Sequence, residues 1–120
     1  ELYLFAKQQH RMFRLNGKVR YIITDRPLIL SIFYNQKYGS GSKRFRDLVL
    51  EETNKFENIN IFLNRTKPYV ENGRNQTEEE SDEFAKEIFE LLEKYCDGYL
   101  ILDAVEGKAS DHILNFAKRD

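Results

Sequence analysis

Apolar residues recur at helical spacing in some parts of the chain and form short continuous runs in others. Residues 1 to about 15 predict a helix whose apolar face consists of Leu4, Phe5, Met12 and Leu15. The same spacing predicts further helices at residues 27–38, 43–56, 77–95 and from about residue 110 onward. Apolar runs predict strands at residues 19–25, 60–64 and 99–103. The first run is more continuous than alternating, which favours a strand covered on both faces.

The order of these elements indicates a fold class. Strands separated by helices are typical of an α/β layer fold with a parallel sheet. The ligands of such folds bind where the strands reach their carboxyl ends. This rule selects residues 24–26, residues 64–65 and Asp103 as candidate site positions.

Composition and charge argue against a nucleic-acid-binding, a membrane-spanning or a disulfide-bonded protein. The chain has 120 residues and a formal net charge of −1, so charge gives no support for a nucleic-acid or membrane partner. No apolar run approaches the ~20 residues needed to span a bilayer. Cys96 is the single cysteine, which excludes an internal disulfide and predicts a cytoplasmic protein.

Residues 24–26, Thr-Asp-Arg, combine two groups that phosphoryl transfer uses. A carboxylate at the end of a buried strand can hold Mg²⁺ or its waters, or take a proton from an attacking hydroxyl. The guanidinium of Arg26 can bind phosphate with its forked donors. The alternative for Asp25 is a structural one, in which its carboxylate caps the helix that begins at Pro27. The two roles are compatible, and both remain open from spacing alone.

The segment of residues 65–76 lies just before the helix that Thr77 opens. It contains three cations, Arg65, Lys67 and Arg74, and is too rich in Pro, Gly and Asn for regular structure. Mobile arginines in such a segment can close over a polyphosphate and neutralise charge that develops during transfer. A solvated surface loop is the alternative.

The remaining basic cluster consists of Lys37, Lys43, Arg44 and Arg46, with aromatic residues nearby. It is interpreted as the solvated start of a helix, with nucleic-acid contact as the alternative. Residues 39–43, Gly-Ser-Gly-Ser-Lys, superficially suggest a phosphate-binding loop. Their spacing is wrong for one and they follow a helix instead of a strand, so they predict a turn.

Two blocks of the sequence resemble P-loop nucleotide kinases such as thymidylate kinase. Residues 21–34, Tyr-Ile-Ile-Thr-Asp-Arg-Pro followed by Leu-Ile-Leu-Ser-Ile-Phe-Tyr, are similar to the aspartate–arginine motif that ends a central strand in those enzymes. Residues 62–77 resemble their strand, lid and lid helix. More closely, nearly the whole chain is similar to AAA-type ATP-binding proteins of phage and bacterial genomes, of the nucleoside-kinase-like kind.

The resemblance implies a role for each matching residue. Asp25 would act on Mg²⁺, through water, or as a base, and Arg26 would bind an acceptor phosphate. Arg65, Lys67 and Arg74 would contact the phosphates of ATP. One departure concerns Arg26, because these relatives carry a small residue at that position. The other is the absence of the Gly-x-x-x-x-Gly-Lys-Ser/Thr phosphate loop from the sequence.

These features lead to one expectation about fold and one about function. Residues 1–120 are expected to form the C-terminal part of a three-layer P-loop NTPase-like α/β domain that lacks the first strand and the phosphate loop, with residues 65–76 as the lid. The chain starts inside a helix without an initiator methionine, so further residues are expected upstream of Glu1.

The expected function is ATP-dependent phosphoryl transfer to a nucleoside, nucleotide or similar small acceptor. The alternatives are a nucleotide-gated ATPase switch and a non-catalytic interaction module.

Overall fold

The computed structural model describes residues 1–64, 77–105 and 108–119 of the chain. The chain divides into two units, Glu1–Asn58 and Ile59–Asp120. The prediction that residues 1–120 belong to one domain stays a prediction. None of the helices within these described ranges is long and apolar enough to cross a membrane.

The first unit consists of three helices, α1 (Leu2–Leu15), α2 (Leu30–Tyr38) and α3 (Lys43–Thr53). Their positions confirm the helices predicted from residues 1, 27 and 43, although α2 begins three residues after Pro27. Gly17 has a φ of 80°, a left-handed conformation that favours glycine, and it ends the turn that follows α1. The chain between Pro27 and α2 is a tight turn, with i→i+3 hydrogen bonds from Leu30 to Pro27 and from Ser31 to Leu28.

The core of the first unit lies where the three helices meet. Val49 of α3 is 0% exposed, and the ring of Phe5 on α1 packs edge-on against Phe45 with centroids 5.5 Å apart. The other buried apolar side chains of this unit are Met12, Leu28, Ile29, Ile32 and Phe33. Burial of this apolar surface is the main free-energy gain that holds the helices together.

The second unit contains the strands β1 (Ile61–Asn64) and β2 (Leu100–Asp103) and the helices α4 (Glu78–Tyr95) and α5 (Lys108–Arg119). The two strands pair in parallel, with Ile61 opposite Leu100 and Asn64 opposite Asp103. Thr77 caps α4 as predicted, since its hydroxyl accepts from the backbone N–H of Glu80 at 3.1 Å.

An aromatic row joins α4 to this sheet. The ring of Phe89 on α4 makes T-shaped contacts with Phe62 of β1 at 5.7 Å and with Tyr99, just before β2, at 5.6 Å. Leu91 and Leu92 of α4 are the buried aliphatic residues of the described part of this unit. The row fixes the helix across both strands, because each contact buries a large apolar surface in a directional geometry.

The predicted fold class is wrong. Within the described residues the only sheet is the parallel pair β1 and β2, and helices make up most of the structure, so this is not a three-layer α/β P-loop NTPase-like fold. Residues 19–25, which were expected to form the first strand, are not a strand, and Ile23 in this segment is 72% exposed. An apolar β-branched run favours extended backbone, but it becomes a strand only where another strand pairs with it.

The core of the first unit predicts a large difference between two Val→Ala substitutions. Val49→Ala should lower the free energy of unfolding by about 2 kcal/mol, because it removes two fully buried methyl groups and leaves a cavity. Val19→Ala is the matched control, since Val19 is 47% exposed, and it should change stability by less than about 0.5 kcal/mol. Urea unfolding followed by circular dichroism measures both, and equal effects would contradict this description of the core.

Candidate functional site

The turn at residues 24–26 is held against helix α1 by side-chain hydrogen bonds. The Thr24 hydroxyl accepts from the backbone N–H of Arg26 at 3.1 Å and from Nε2 of Gln8 at 3.2 Å. The same Gln8 nitrogen lies 3.4 Å from the Arg26 carbonyl oxygen, to which it donates. The turn that carries Asp25 and Arg26 is therefore fixed by Thr24 and by a helix residue 16 to 18 positions upstream.

The guanidinium of Arg26 is positioned by an aromatic face and a carboxylate. Its central carbon lies 4.8 Å from the ring centroid of Tyr34 on α2, within range of a cation–π interaction. Its Nη2 donates to Oε1 of Glu1 at 2.8 Å. The ring of Tyr34 stacks in turn on Tyr38, with centroids 6.4 Å apart. Since the Arg26 side chain is 37% exposed, its donors remain accessible from solvent.

Asp25, unlike Arg26, has no side-chain partner among the residues that the structure describes. Its side chain is exposed, and it makes no hydrogen bond or ion pair within the described residues. The alternative in which Asp25 caps the next helix is excluded, because the N-cap of α2 is Ile29 and no side chain caps that helix. The local capping partner of the turn is Thr24, which leaves the Asp25 carboxylate available to a ligand.

The other strand-end residues meet in the second unit. Asn64 and Asp103 are opposite each other at the carboxyl ends of β1 and β2, and the backbone N–H of Ala104 donates to the Asn64 carbonyl at 2.8 Å. These two positions are neighbours, as the rule for parallel strands predicts. The predicted lid cations Arg65, Lys67 and Arg74 lie outside the described residues, so their placement stays a prediction.

The described part of the chain contains no cluster of protein ligands for a metal ion. No group of three or more His, Cys, Asp or Glu side chains there could hold a metal ion. Mg²⁺ in phosphoryl-transfer sites takes one or two carboxylates and completes its shell with waters and phosphate oxygens. A single exposed Asp25 carboxylate therefore fits a water-mediated Mg²⁺ contact and does not fit an all-protein metal site.

Cys96 lies at the end of α4 in a partly buried position. Its Sγ accepts from Nδ2 of Asn60 at 3.5 Å. Burial raises the pKa of the thiol, and the neighbouring carboxylate of Asp97 raises it further. Both effects disfavour the thiolate, so the geometry is that of a packing cysteine and not of an activated nucleophile.

Two features of the site were not predicted from the sequence. Tyr34 supports Arg26 from eight residues away, and Gln8 reaches the turn from another helix. The position of Thr24 two residues before Arg26 is a recognisable signal for a side-chain-to-backbone turn. The contacts of Tyr34 and Gln8 have no comparable signal, because they depend on how α1 and α2 pack.

No family model matches the chain, and neither the curated proteins nor the solved structures contain a match to it.

The Thr24 hydroxyl predicts a stability effect at the turn. Thr24→Val keeps the shape of the side chain but leaves the Arg26 N–H and Gln8 without an acceptor, so it should lower the free energy of unfolding by about 1 kcal/mol. Thr24→Ser keeps the hydroxyl and should cost less than half as much. Thermal unfolding of the two variants and the parent measures this, and a fully stable Thr24→Val protein would rule out the anchoring role.

The raised pKa of Cys96 predicts slow alkylation near neutral pH. Because the thiolate is the reacting form, the rate of reaction with iodoacetamide should rise with pH through a midpoint above that of a free cysteine thiol. Asp97→Asn removes one negative charge and should move this midpoint to lower pH. Mass spectrometry of the alkylated fraction over a pH series measures both midpoints, and a midpoint below that of free cysteine would contradict the assignment.

Proposed function

We propose that the protein is an ATP-dependent phosphotransferase acting on a nucleoside, nucleotide or similar small acceptor, with Asp25 and Arg26 on the acceptor side. Two things support the proposal. One is the resemblance of residues 21–34 to the aspartate–arginine motif of nucleotide kinases. The other is the geometry of the turn that carries both residues.

The observation that carries the proposal is the contact between Arg26 and Glu1. Guanidinium Nη2 donates to a carboxylate oxygen at 2.8 Å while the ring of Tyr34 covers one face of the group. The Glu1 carboxylate occupies the place that one oxygen of an acceptor phosphate would take. Arginine binds carboxylate and phosphate with the same planar fork, so a group that binds one is suited to the other.

Tyr34 contributes orientation to this site. An arginine side chain loses much rotamer freedom when it binds an anion, and part of that cost is met in advance if the guanidinium already rests on an aromatic face. The Thr24 and Gln8 hydrogen bonds fix the backbone beneath it. Because the guanidinium is already fixed in position, it binds the acceptor phosphate in one defined orientation.

Asp25 supplies the acidic group of the proposed site. Its exposed carboxylate can accept the proton of an attacking acceptor hydroxyl, or hold Mg²⁺ through a water. A bound Mg²⁺ would supply neutralisation of the phosphate charge. Arg65, Lys67 and Arg74 are proposed to contact the phosphates of ATP, and the phosphate-binding segment itself would come from residues outside these 120. Consistent with the single partly buried Cys96, the compartment we propose is the cytoplasm.

Binding of a nucleoside monophosphate tests the acceptor site on the chain itself. Arg26→Gln should weaken binding at least about tenfold, because it removes a charge-assisted bidentate donor. Glu1→Gln should act in the opposite direction and tighten binding, since it removes the carboxylate that competes for the guanidinium. Calorimetric titration measures both.

Arg20→Gln is the matched control, since Arg20 also lies over a tyrosine ring, that of Tyr21, at 5.8 Å. It should leave the affinity within about twofold, the scale of a surface charge change. If Arg20→Gln and Arg26→Gln weakened binding of the nucleotide equally, the binding would be non-specific attraction to positive charge, and the proposal would be overturned.

Catalysis is tested in the protein that contains the ATP-binding segment. There, Asp25→Ala should abolish transfer and largely spare ATP binding, whereas an unchanged rate would remove Asp25 from the mechanism. The 120-residue chain alone should not hydrolyse ATP. Turnover stimulated by the acceptor distinguishes a kinase from an ATPase switch, in which turnover is independent of the acceptor.

A further inference from the structure

A second candidate site lies in the first unit, at the start of α3. A cavity of about 380 Å³ opens there between residues of all three helices. Its polar lining consists of Asn35, Ser40, Ser42 and Arg44, and its apolar lining of Leu2, Phe45 and Leu48. None of these seven residues belongs to the Asp25–Arg26 turn, so the cavity is independent of the function proposed above.

Asn35 is the unusual residue in this cavity. It is 8% exposed, and its side-chain amide has no hydrogen-bond partner within the described residues. Among the described residues the fully buried side-chain polar atom without a partner is Tyr95 Oη, so the Asn35 amide keeps contact with solvent. A water or a ligand in the cavity can therefore take the hydrogen bonds that the protein does not supply. The amide lines the cavity, and a ligand bound there can reach it.

The backbone around Asn35 shapes the cavity. Its carbonyl oxygen accepts from the N–H groups of Gly39 at 2.9 Å and Gly41 at 3.2 Å, which folds the segment of residues 39–42 back over α2. Gly41 has a φ of 66°, a conformation that favours glycine. A Cβ at Gly39 would lie 2.6 Å from Asn35 Oδ1 and 3.0 Å from the Asn35 carbonyl oxygen, so a larger residue there would displace the amide from its present position. The glycines thus place the loop and its serines beside Asn35.

The start of α3 gives the cavity a positive character. The hydroxyl of Ser42 accepts from the Phe45 N–H at 3.4 Å, while the N–H groups of Lys43 and Arg44 have no partner in the described part of the chain. The helix dipole and these free N–H groups favour a negative ligand, and the exposed Arg44 side chain adds a full positive charge. The nearest acidic residue along α3, Asp47, is paired with Arg46 at 3.4 Å.

The apolar wall of the cavity, Phe45 and Leu48, favours a ligand that has an apolar part. Phe45 is fixed by its edge-on contact with Phe5, and Leu48 lies one turn further along α3. A volume of about 380 Å³ is at the small end of ligand sites and suits a single ring or a short chain. A bare inorganic anion would leave this wall uncovered.

We propose that this cavity binds a small organic anion, one phosphate or carboxylate group on an apolar body. Its lining residues are Leu2, Asn35, Ser40, Ser42, Arg44, Phe45 and Leu48. The anionic group lies against Arg44, Ser40 and the N-terminus of α3, where the amide of Asn35 donates to it. The apolar body packs on Phe45 and Leu48. The Gly-Ser-Gly-Ser segment therefore serves a small-molecule site, although its spacing excludes a P-loop.

Three probes separate the contributions of the anion and the apolar body. Phenyl phosphate and benzoate should both be detectable ligands by NMR chemical-shift titration, with shifts at residues 40–45 and at the Asn35 amide. Inorganic phosphate should bind at least about tenfold more weakly than phenyl phosphate, because it lacks the ring that covers the apolar wall. No binding of either organic anion, or equal affinity for inorganic phosphate, would overturn the proposal.

Substitutions then locate the binding. Arg44→Gln and Asn35→Asp should each weaken phenyl phosphate binding at least about tenfold, the first by removing a charge-assisted donor and the second by adding a like charge. Asn35→Asp preserves the side-chain shape, and the circular dichroism spectrum of the variant checks its fold. Arg44→Gln is an exposed change that decides the question if Asn35→Asp fails to fold.

Lys43→Gln is the matched control, since Lys43 carries the same charge one residue away but does not line the cavity. The affinity of the Lys43→Gln variant for phenyl phosphate should stay within about threefold of the parent's, as expected for a screened surface charge. An equal loss in Lys43→Gln and Arg44→Gln would mean attraction to a basic surface and would overturn the site. Arg26→Gln should not change this affinity, so failure here is distinguishable from failure at the acceptor site.

Discussion

The packing of α1, α2 and α3 around Val49 and Ile32 is the constraint on which both candidate sites depend. The Asp25–Arg26 turn is held by Gln8 of α1 and covered by Tyr34 of α2. The cavity at the start of α3 takes lining residues from all three helices. If the apolar contacts of this core were lost, each site would lose its geometry. Among the described residues neither site contains a cluster of metal ligands, a disulfide or a sheet that would hold it.

Two adjacent residues of helix α2 contribute to the two candidate sites. Tyr34 supports the guanidinium of Arg26, and the next residue, Asn35, presents a buried amide to the cavity. Successive residues on a helix point about 100° apart, so neighbours in sequence can serve different surfaces. Helix α2 therefore has no simple polar face: Ser31 and Asn35 are buried polar residues among apolar neighbours. The Asn35 amide, which has no partner among the described residues, is the polar group that the proposed ligand would satisfy.

In the second unit the sheet has two short strands, and it leaves apolar side chains exposed. β1 and β2 pair in parallel and are crossed by the aromatic row of Phe62, Phe89 and Tyr99. A two-stranded sheet has two edges and leaves part of its faces uncovered, and Leu63 and Ile101 remain exposed accordingly. Strands this apolar are typical of sheets that are covered on both sides. The same pattern led to the expectation of a layered α/β fold, which the described residues do not form.

The sequence by itself determined the local structure. Apolar spacing located the five helices of the described residues, and the Thr77 and Glu80 pair located the start of α4. Helix periodicity and capping are short-range effects, so a local pattern records them. It also selected Asp25 and Arg26 as candidate site residues and left open whether Asp25 caps the next helix, which the structure excludes. Only the tertiary structure decided that residues 19–25 are not a strand, that Tyr34 and Gln8 reach the turn, and that Asn35 lines a cavity. These outcomes depend on contacts between residues far apart in the chain, which no local pattern records.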